Sequence, residues 1–200
     1  MDAAAVAFVR SGYHNTLISQ IVAEAGVGQG TFYRYFTDKR HIFAEMMEEF
    51  FQTLLSPFGD MSQQLPTNVE EYHAASLRAI ITSSEILDEH TAIARLFIRE
   101  GPSIDPDFAQ RMEQIYGSFA ALAQHFLEHA IAQGFARPYN PAVIGQCLVG
   151  MGLRLVDTTW GDGVLHHLNK KEMIEQAIEF AFRGIGNYQH PTMPGAGTST

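Results

Sequence analysis

Residues 16–39 read TLISQIVAEAGVGQGTFYRYFTDK, and this stretch decides the fold. Thr16 is placed to cap a helix that runs to Ala25, and Gly26 supplies a residue that tolerates the left-handed turn ending it. A second short helix is predicted from about Gly28 to Phe36. Two short helices joined by a tight glycine turn form a helix-turn-helix, which the sequence predicts at residues 16–36.

The side chains around this turn divide into an inner and an outer set. The apolar ones are predicted to form a three-helix core from Phe8, Ile21, Val27, Phe32 and Phe36. The polar and remaining aromatic ones stay outside on the second helix, namely Gln29, Thr31, Tyr33, Arg34 and Tyr35. Such a face suits the major groove of DNA, because Gln can pair with adenine, Thr can touch a thymine methyl and Tyr hydroxyls can reach phosphates. Lys39, at the start of the next helix, is predicted to pair with a phosphate.

From Ala3 to about Met46 the chain resembles the DNA-binding domain of the TetR family of transcriptional regulators. The aromatic run from Thr31 to Phe36, followed by Lys39, is the most specific element of this resemblance. The resemblance implies a phosphate contact by Thr16, base contacts by Gln29, Gly30 and Thr31, and backbone contacts by Tyr33, Tyr35 and Lys39. Arg34 is a further DNA-binding candidate at a position that varies in the family.

Two features bear on this interpretation. A generic helical hairpin would explain Phe32 and Phe36 as core residues, but it would not explain exposed Tyr33 and Tyr35 beside an arginine. Family members usually carry a basic arm before the first helix, whereas this chain starts at Met1, where the middle of that helix is expected. Either the start of the sequence is placed too late or the arm is missing, and minor-groove contacts from an arm are therefore not predicted.

The net charge of −9 lies entirely behind the helix-turn-helix, because four basic and four acidic residues cancel within residues 1–47. Weak non-specific DNA binding is expected, since the affinity for non-specific DNA grows with the number of phosphates neutralised by Lys and Arg.

Hydrophobic residues make up 46% and charged residues 18%, which is typical of a globular chain. No apolar run approaches the roughly 20 residues of a membrane span. The absence of a secretion signal and the single cysteine, Cys147, indicate a protein of the reducing cytoplasm.

Apolar residues recur at helical spacing along the chain, and an all-α fold of about nine helices is predicted. A first helix is expected from Asp2 to Ser11, with Gly12 ending it, and a loop from Pro57 to Pro66. Helix starts are predicted at Asp38 or Thr37, at a Thr67–Glu70 capping box, near Asp88, at Asp105–Pro106, at Asn140–Pro141 and at Lys170. The predicted organisation is a helix-turn-helix domain at 1–46, a ligand-binding and dimerisation domain at 47–187, and a disordered tail at 188–200.

The last two helices, at 141–160 and 170–186, have apolar faces interleaved with small residues that permit close helix approach: Gly145, Gly150, Gly152, Ala177, Ala181 and Gly184. The resemblance implies that these helices form a four-helix interface of a homodimer. Such a dimer would place its recognition helices about 34–36 Å apart on a pseudo-palindromic double-stranded operator. The alternative is that the two helices complete the core of one subunit.

The middle helices are rich in aromatic residues, and the resemblance implies that they enclose a pocket for a small effector. An apolar wall would suit a hydrophobic or aromatic molecule. The candidate ligand-binding residues are His73, Phe97, Met112, Tyr116, Phe119, Cys147 and Trp160. The alternative for these side chains is ordinary core packing.

No cofactor, metal site or enzymatic activity is predicted. His125 and His129 stand one helical turn apart and form a possible metal pair, but no metalloprotease pattern surrounds them. No nucleophile elbow or phosphate loop is present. A ligand-responsive repressor is therefore favoured over a small hydrolase, and over a small-molecule binding protein that has lost DNA binding.

Overall fold

A computed structural model describes residues 1–160, 165 and 167–186. The helices are α1 (Asp2–Asn15), α2 (Ile18–Ala25), α3 (Gln29–Tyr35), α4 (Lys39–Leu55), α5 (Gly59–Gln63), α6 (Val69–Glu89), α7 (Thr91–Ile104), α8 (Pro106–Ala132), α9 (Pro141–Trp160) and α10 (Lys170–Ile185). A 3₁₀ turn at Ser56–Phe58 joins α4 to α5. Within this described part the chain forms no strand, and the all-α prediction is confirmed.

The helix count exceeds the predicted nine because α5 and the 3₁₀ turn occupy most of the region predicted as a loop from Pro57 to Pro66. The tail predicted at 188–200 lies outside the described residues. None of the helices in the described ranges is both long and apolar enough to span a bilayer.

Side-chain caps explain where several helices begin. Asp38 Oδ1 accepts a hydrogen bond from His41 N at 2.8 Å at the start of α4, and Asp105 Oδ1 accepts from Phe108 N at 3.0 Å at the start of α8. Asn140 Oδ1 accepts from Ala142 N at 3.0 Å at the start of α9. These three starts are confirmed, because an acidic or amide side chain before the first turn satisfies backbone donors that have no partner within the helix.

The cap of α6 lies one residue beyond the predicted one. Asn68, rather than Thr67, occupies the N-cap, and its Oδ1 accepts from Glu71 N at 2.8 Å. The Glu71 carboxylate in turn accepts from Thr67 N at 2.9 Å and from its hydroxyl at 2.8 Å. These hydrogen bonds lower the pKa of Glu71. The predicted Thr67–Glu70 pair is therefore wrong by one position.

A continuous aromatic core joins the first helices to the body of the chain. Phe8, Phe43, Phe97 and Phe108 are all fully buried, and they come from α1, α4, α7 and α8. The Phe43 ring meets those of Phe8, Phe97 and Phe108 at centroid distances of 5.2, 5.1 and 5.6 Å, each close to edge-on. Each such pair contributes roughly 0.5–1.5 kcal/mol beyond the area that it buries. The helices α1 and α4, which flank the helix-turn-helix, are thus packed against α7 and α8.

At the other end of the chain, α9 lies against α8 and α10 lies against α6. The closest approach of α9 is at Gly145, where an added Cβ would stand 2.8 Å from the carbonyl oxygen of Ala120. The rings of Tyr72 and Phe182 meet at 5.4 Å between α6 and α10. Gly145 therefore serves packing within one subunit, as the alternative interpretation of the last two helices expects.

Candidate nucleic-acid interface

The end of α1 is bent and held by α7. Gly12 has a φ of 73°, which a residue with a Cβ rarely adopts, so the helix predicted to end there resumes after a kink and continues to Asn15. After the kink, Tyr13 N donates to Glu100 Oε2 at 2.8 Å. The Tyr13 ring packs on Phe43 at 4.9 Å. The carboxylate of α7 thus fixes the point from which the chain enters the helix-turn-helix.

Lys39 holds the junction between α1 and α2. Its Nζ donates to the carbonyl oxygens of Tyr13 at 2.8 Å, His14 at 2.9 Å and Thr16 at 3.1 Å. The ammonium also lies 4.7 Å from the centroid of the Tyr13 ring. An ammonium has three donor hydrogens, and all three are engaged within the protein. The predicted phosphate contact of Lys39 stays a prediction, and it would compete with these bonds.

Thr16 is fully buried, which corrects both roles predicted for its side chain. Its hydroxyl lies 2.7 Å from the carbonyl oxygen of Gly12 and 3.2 Å from that of Ala7, and it donates to α1 rather than to a phosphate. The N-cap position of α2 is instead occupied by Leu17, which is 61% exposed and whose side chain has no atom that can accept a hydrogen bond. Gln20 Oε1 accepts from Leu17 N at 2.7 Å, so half of a capping box is present.

The turn between α2 and α3 matches the prediction in its backbone but differs in one core residue. Gly26 has a φ of 66° in the left-handed region, and Gly28 is the N-cap of α3. Val27, predicted to plug the core, is 41% exposed. The turn carries it outward, so the predicted core around Phe32 closes without it.

The outer face of α3 stands free in this chain. Gln29, Gly30, Thr31, Tyr33, Arg34 and Tyr35 are all exposed. Tyr33 rests edge-on against Phe32 with ring centroids 5.5 Å apart, and the Arg34 guanidinium lies 5.4 Å from the centroid of the Tyr35 ring. The buried aromatic residue and the stacked arginine orient the two tyrosines and leave their rings exposed. The geometry matches a small base-reading face flanked by groups able to reach the DNA backbone.

Most cations near this face are already engaged. Arg10 pairs with Glu24 at 3.1 Å, and Arg40 pairs with Asp105 at 2.8 Å and with Asp107 at 3.0 Å. The hydrogen bonds from Arg40 lower the pKa of Asp105. Arg34 forms no ion pair among the described residues. The electrostatic attraction of this surface for phosphate groups is therefore small, in keeping with the weak non-specific DNA binding that the sequence predicts.

Behind the helix-turn-helix, α4, α6, α8, α9 and α10 surround a cavity of about 340 Å³. Its wall is mostly apolar and includes Phe50, Phe51, Leu54, Ile80, Leu87, Phe119, Leu122, Phe126, Leu148, Met151, Leu155, Trp160, Ile174, Ile178 and Phe182. The volume lies at the lower end of the roughly 300–1,000 Å³ of small-molecule sites. Phe119 and Trp160, both ligand-binding candidates, line it.

The other five ligand candidates do not line this cavity, so their predicted place in its wall is corrected. Phe97 and Met112 are 0% and 1% exposed and belong to the aromatic core. His73 packs edge-on against Phe182 at 4.8 Å, on the outer side of the wall. Tyr116 is half-buried elsewhere on α8, and Cys147 is exposed on α9.

The cavity is also lined by residues of α6 that were not among the predicted ligand-binding candidates. Tyr72, Ser76, Ile80 and Ser83 line it at helical spacing. Their spacing was visible in the sequence, but apolar periodicity alone does not single out tyrosine and serine as cavity residues.

The histidine pair of α8 is divided between two surroundings. His125 is exposed, while His129 Nε2 lies 2.7 Å from the carbonyl oxygen of Pro66 in a hydrogen bond. Across the described ranges of the chain, no three His, Cys, Asp or Glu side chains come together as a metal site would require.

Comparisons with known proteins agree with this geometry. Residues 1–46 match the family model of bacterial regulatory proteins, tetR family. The chain is 28% identical over 152 residues to the HTH-type transcriptional regulator YdgC of Bacillus subtilis, covering 76% of this chain and 74% of YdgC. It is 22% identical over 140 residues to the fatty acid metabolism regulator protein of the same organism, covering 67% of each. The TetR family transcriptional regulator PfmR of Thermus thermophilus shares the fold, with a TM-score of 0.69 at 17% identity over 91% of this chain and 96% of PfmR.

Proposed function

Because the chain belongs to the TetR family of transcriptional regulators, we propose that it is a ligand-responsive repressor of the cytoplasm. It binds a pseudo-palindromic operator as a homodimer and leaves it when a small apolar effector fills the cavity. Residues 1–46 bind DNA, and residues 47–187 bind the effector and form the dimer. The exposed outer face of α3, backed by buried Phe32, is the observation that carries this proposal.

On the operator, α3 enters the major groove. Gln29 and Thr31 reach base edges, and Gly30 between them lets the backbone come close because it has no side chain. Tyr33 and Tyr35, 56% and 63% exposed, donate their hydroxyls to phosphates on either side. The contribution of bulk charge is small, so the spacing of the two recognition helices in the dimer determines the affinity.

Dimerisation through α9 and α10 is supported by what these helices leave uncovered. Val143 and Phe180 are 57% and 74% exposed, so each of these helices presents apolar surface that a partner could cover. Gly150 and Gly184 have no atom within 4 Å of an added Cβ, so another helix has room to approach them. A second copy of the chain would cover both helices by the two-fold arrangement common to such dimers.

Two polar links connect the effector cavity to the DNA-binding helices. Arg40, on α4, binds Asp105, the residue that caps α8, and α8 supplies Phe119 and Phe126 to the cavity. Glu100 on α7 accepts the backbone hydrogen of Tyr13 at the end of α1. A shift of α7 or α8 on ligand binding would reach α1 and α4 through these bonds and change the spacing of the recognition helices. The ligand releases DNA only if it binds that second state more tightly.

Selection from a random pool of DNA duplexes tests the proposal with the full-length protein. We expect enrichment of an inverted repeat whose half-sites lie one helical turn apart, because a two-fold dimer presents two recognition helices at that spacing. The Tyr33→Ala variant should bind the selected duplex at least tenfold more weakly. Tyr139→Ala, which removes a 41% exposed tyrosine remote from α3, is the matched control.

Two results would contradict the proposal. One is a pool that shows no enriched sequence, and the other is a Tyr33→Ala variant that binds as tightly as the Tyr139→Ala control. Sedimentation of the protein with the selected duplex gives the stoichiometry, and one chain per inverted repeat would exclude the dimer.

A further inference from the structure

The cavity wall carries two hydroxyl groups whose hydrogen-bonding capacity is unused. Tyr72 and Ser76 both line the cavity and stand four residues apart on α6, so their side chains lie on one face of the helix. Neither hydroxyl has a hydrogen-bond partner among the residues that the structure describes. Both side chains are half-buried, and a molecule in the cavity would supply the partner that protein groups supply to most polar side chains.

The other polar side chains of the wall are already engaged. Ser83 Oγ donates to the carbonyl oxygens of Leu54 and Ala79, at 3.0 and 2.9 Å, and Ser84 Oγ donates to that of Ile81 at 2.7 Å. Trp160 Nε1 donates to Asp88 Oδ1 at 2.8 Å. The unused capacity is therefore concentrated at Tyr72 and Ser76, at one point of an otherwise apolar wall.

The wall also restricts the charge of the ligand. Among the described residues that line the cavity there is no lysine, arginine, histidine, aspartate or glutamate. An ionised carboxylate placed there would lose its hydration without gaining a cation, which is costly. Burial raises the pKa of Tyr72 to about 12, so its hydroxyl keeps its proton at neutral pH and remains a donor.

We propose that the cavity binds an uncharged apolar molecule with a single hydroxyl or carbonyl oxygen, and that Tyr72 and Ser76 hold this oxygen. The chain of the ligand lies against Phe119, Phe126 and Trp160, while its polar end lies at α6. Free fatty acids are disfavoured as ligands. This inference names the effector class of the regulator proposed above and rests on that function.

A fluorescence titration of the full-length protein tests the inference without DNA. Trp160 is the single tryptophan of the chain and lines the cavity, so its emission should change when the cavity fills. The probes are decanol and decanoate, which share one alkyl chain and differ in charge at neutral pH. We expect decanol to bind at least tenfold more tightly than decanoate. Tyr72→Phe and Ser76→Ala should each weaken decanol about five- to tenfold, as loss of one hydrogen bond implies.

The matched control is Tyr116→Phe, which removes the same hydroxyl from a half-buried tyrosine outside the cavity wall. It should bind decanol as the unmodified protein does. Decanoate binding equal to decanol, absence of decanol binding, or unchanged affinity in both cavity variants would each overturn the inference. A protein that discriminates between the probes but selects no operator would contradict the proposed repressor function and leave this inference standing.

Discussion

Replacing Lys39 with methionine keeps a side chain of similar length and removes the ammonium that joins α1 to α2. The unmodified protein places this ammonium 2.8 Å from the Tyr13 carbonyl oxygen, 2.9 Å from that of His14 and 3.1 Å from that of Thr16. We expect Lys39→Met to be less stable even when no DNA is present. A residue that served phosphate binding alone would show no such effect.

The expected loss of stability in Lys39→Met follows from how far each of the three hydrogen bonds is buried. The bond to His14 is exposed, so water can replace it at little cost. The bonds to Tyr13 and Thr16 are part-buried, and each loss is expected to cost about 1–1.5 kcal/mol, which reaches only the lower limit of the range for charged donors because both sites are partly solvated. The total of about 2–3 kcal/mol corresponds to a fall in Tm of roughly 5–10 °C for a chain of this size.

Thermal unfolding followed by circular dichroism measures the effect, with Arg34→Met as the matched control. This control removes one positive charge from the same region, at an exposed residue stacked on Tyr35, and should change stability by less than about 0.5 kcal/mol. Equal stability of Lys39→Met and the unmodified protein would refute the structural role. The salt dependence of operator binding then separates the functions, because loss of a phosphate contact reduces the slope by about one.

Three further predictions concern other contacts. Gly145→Ala should destabilise the chain by about 1–3 kcal/mol in urea unfolding, because its Cβ would stand 2.8 Å from a carbonyl oxygen of α8, whereas Gly117→Ala, with open space around it, should not. Leu17→Ser should complete the capping box of α2 and raise the free energy of unfolding by about 0.5–1 kcal/mol, and an unchanged urea midpoint would argue against it. Arg40 lowers the pKa of Asp105, so their link stabilises the fold above the ordinary carboxyl pKa and is lost as pH falls through the lowered one. The stabilities of the unmodified protein and Arg40→Gln should therefore differ at pH 7 and draw together as the pH falls below about 4, and a difference that does not shrink with falling pH would contradict this.

Local signals in the sequence predicted the helices and the turn of the DNA-binding region well. Gly26 and the capping residues Asp38, Asp105 and Asn140 each act within one turn of their own position, so neighbouring residues are enough to interpret them. The exposed face of α3 followed in the same way, because only one side of a short helix can pack against two others.

Contacts between distant residues could not be predicted in this way. Thr16 looks like a cap in the sequence, but it is buried because the kink at Gly12 folds α1 over it. Phe97 and Met112 were assigned to the cavity for their type, and they are in the core because the crossing of α4, α7 and α8 places them at a different depth. Tyr72 was overlooked since its hydroxyl conceals how far its ring is buried.

The packing at Gly145 has a consequence for how such a regulator responds to its own abundance. Gly145 lets α9 pack closely on α8, and α10 lies on α6. The two helices proposed to meet the partner subunit therefore also line the cavity. Dimerisation and effector binding then involve the same two helices. Thermodynamic linkage requires that dimerisation change the affinity for the effector by the same factor by which the effector changes the affinity between subunits. The concentration of the protein itself would therefore set how sensitively it senses the effector, with dilute and abundant pools responding at different ligand levels.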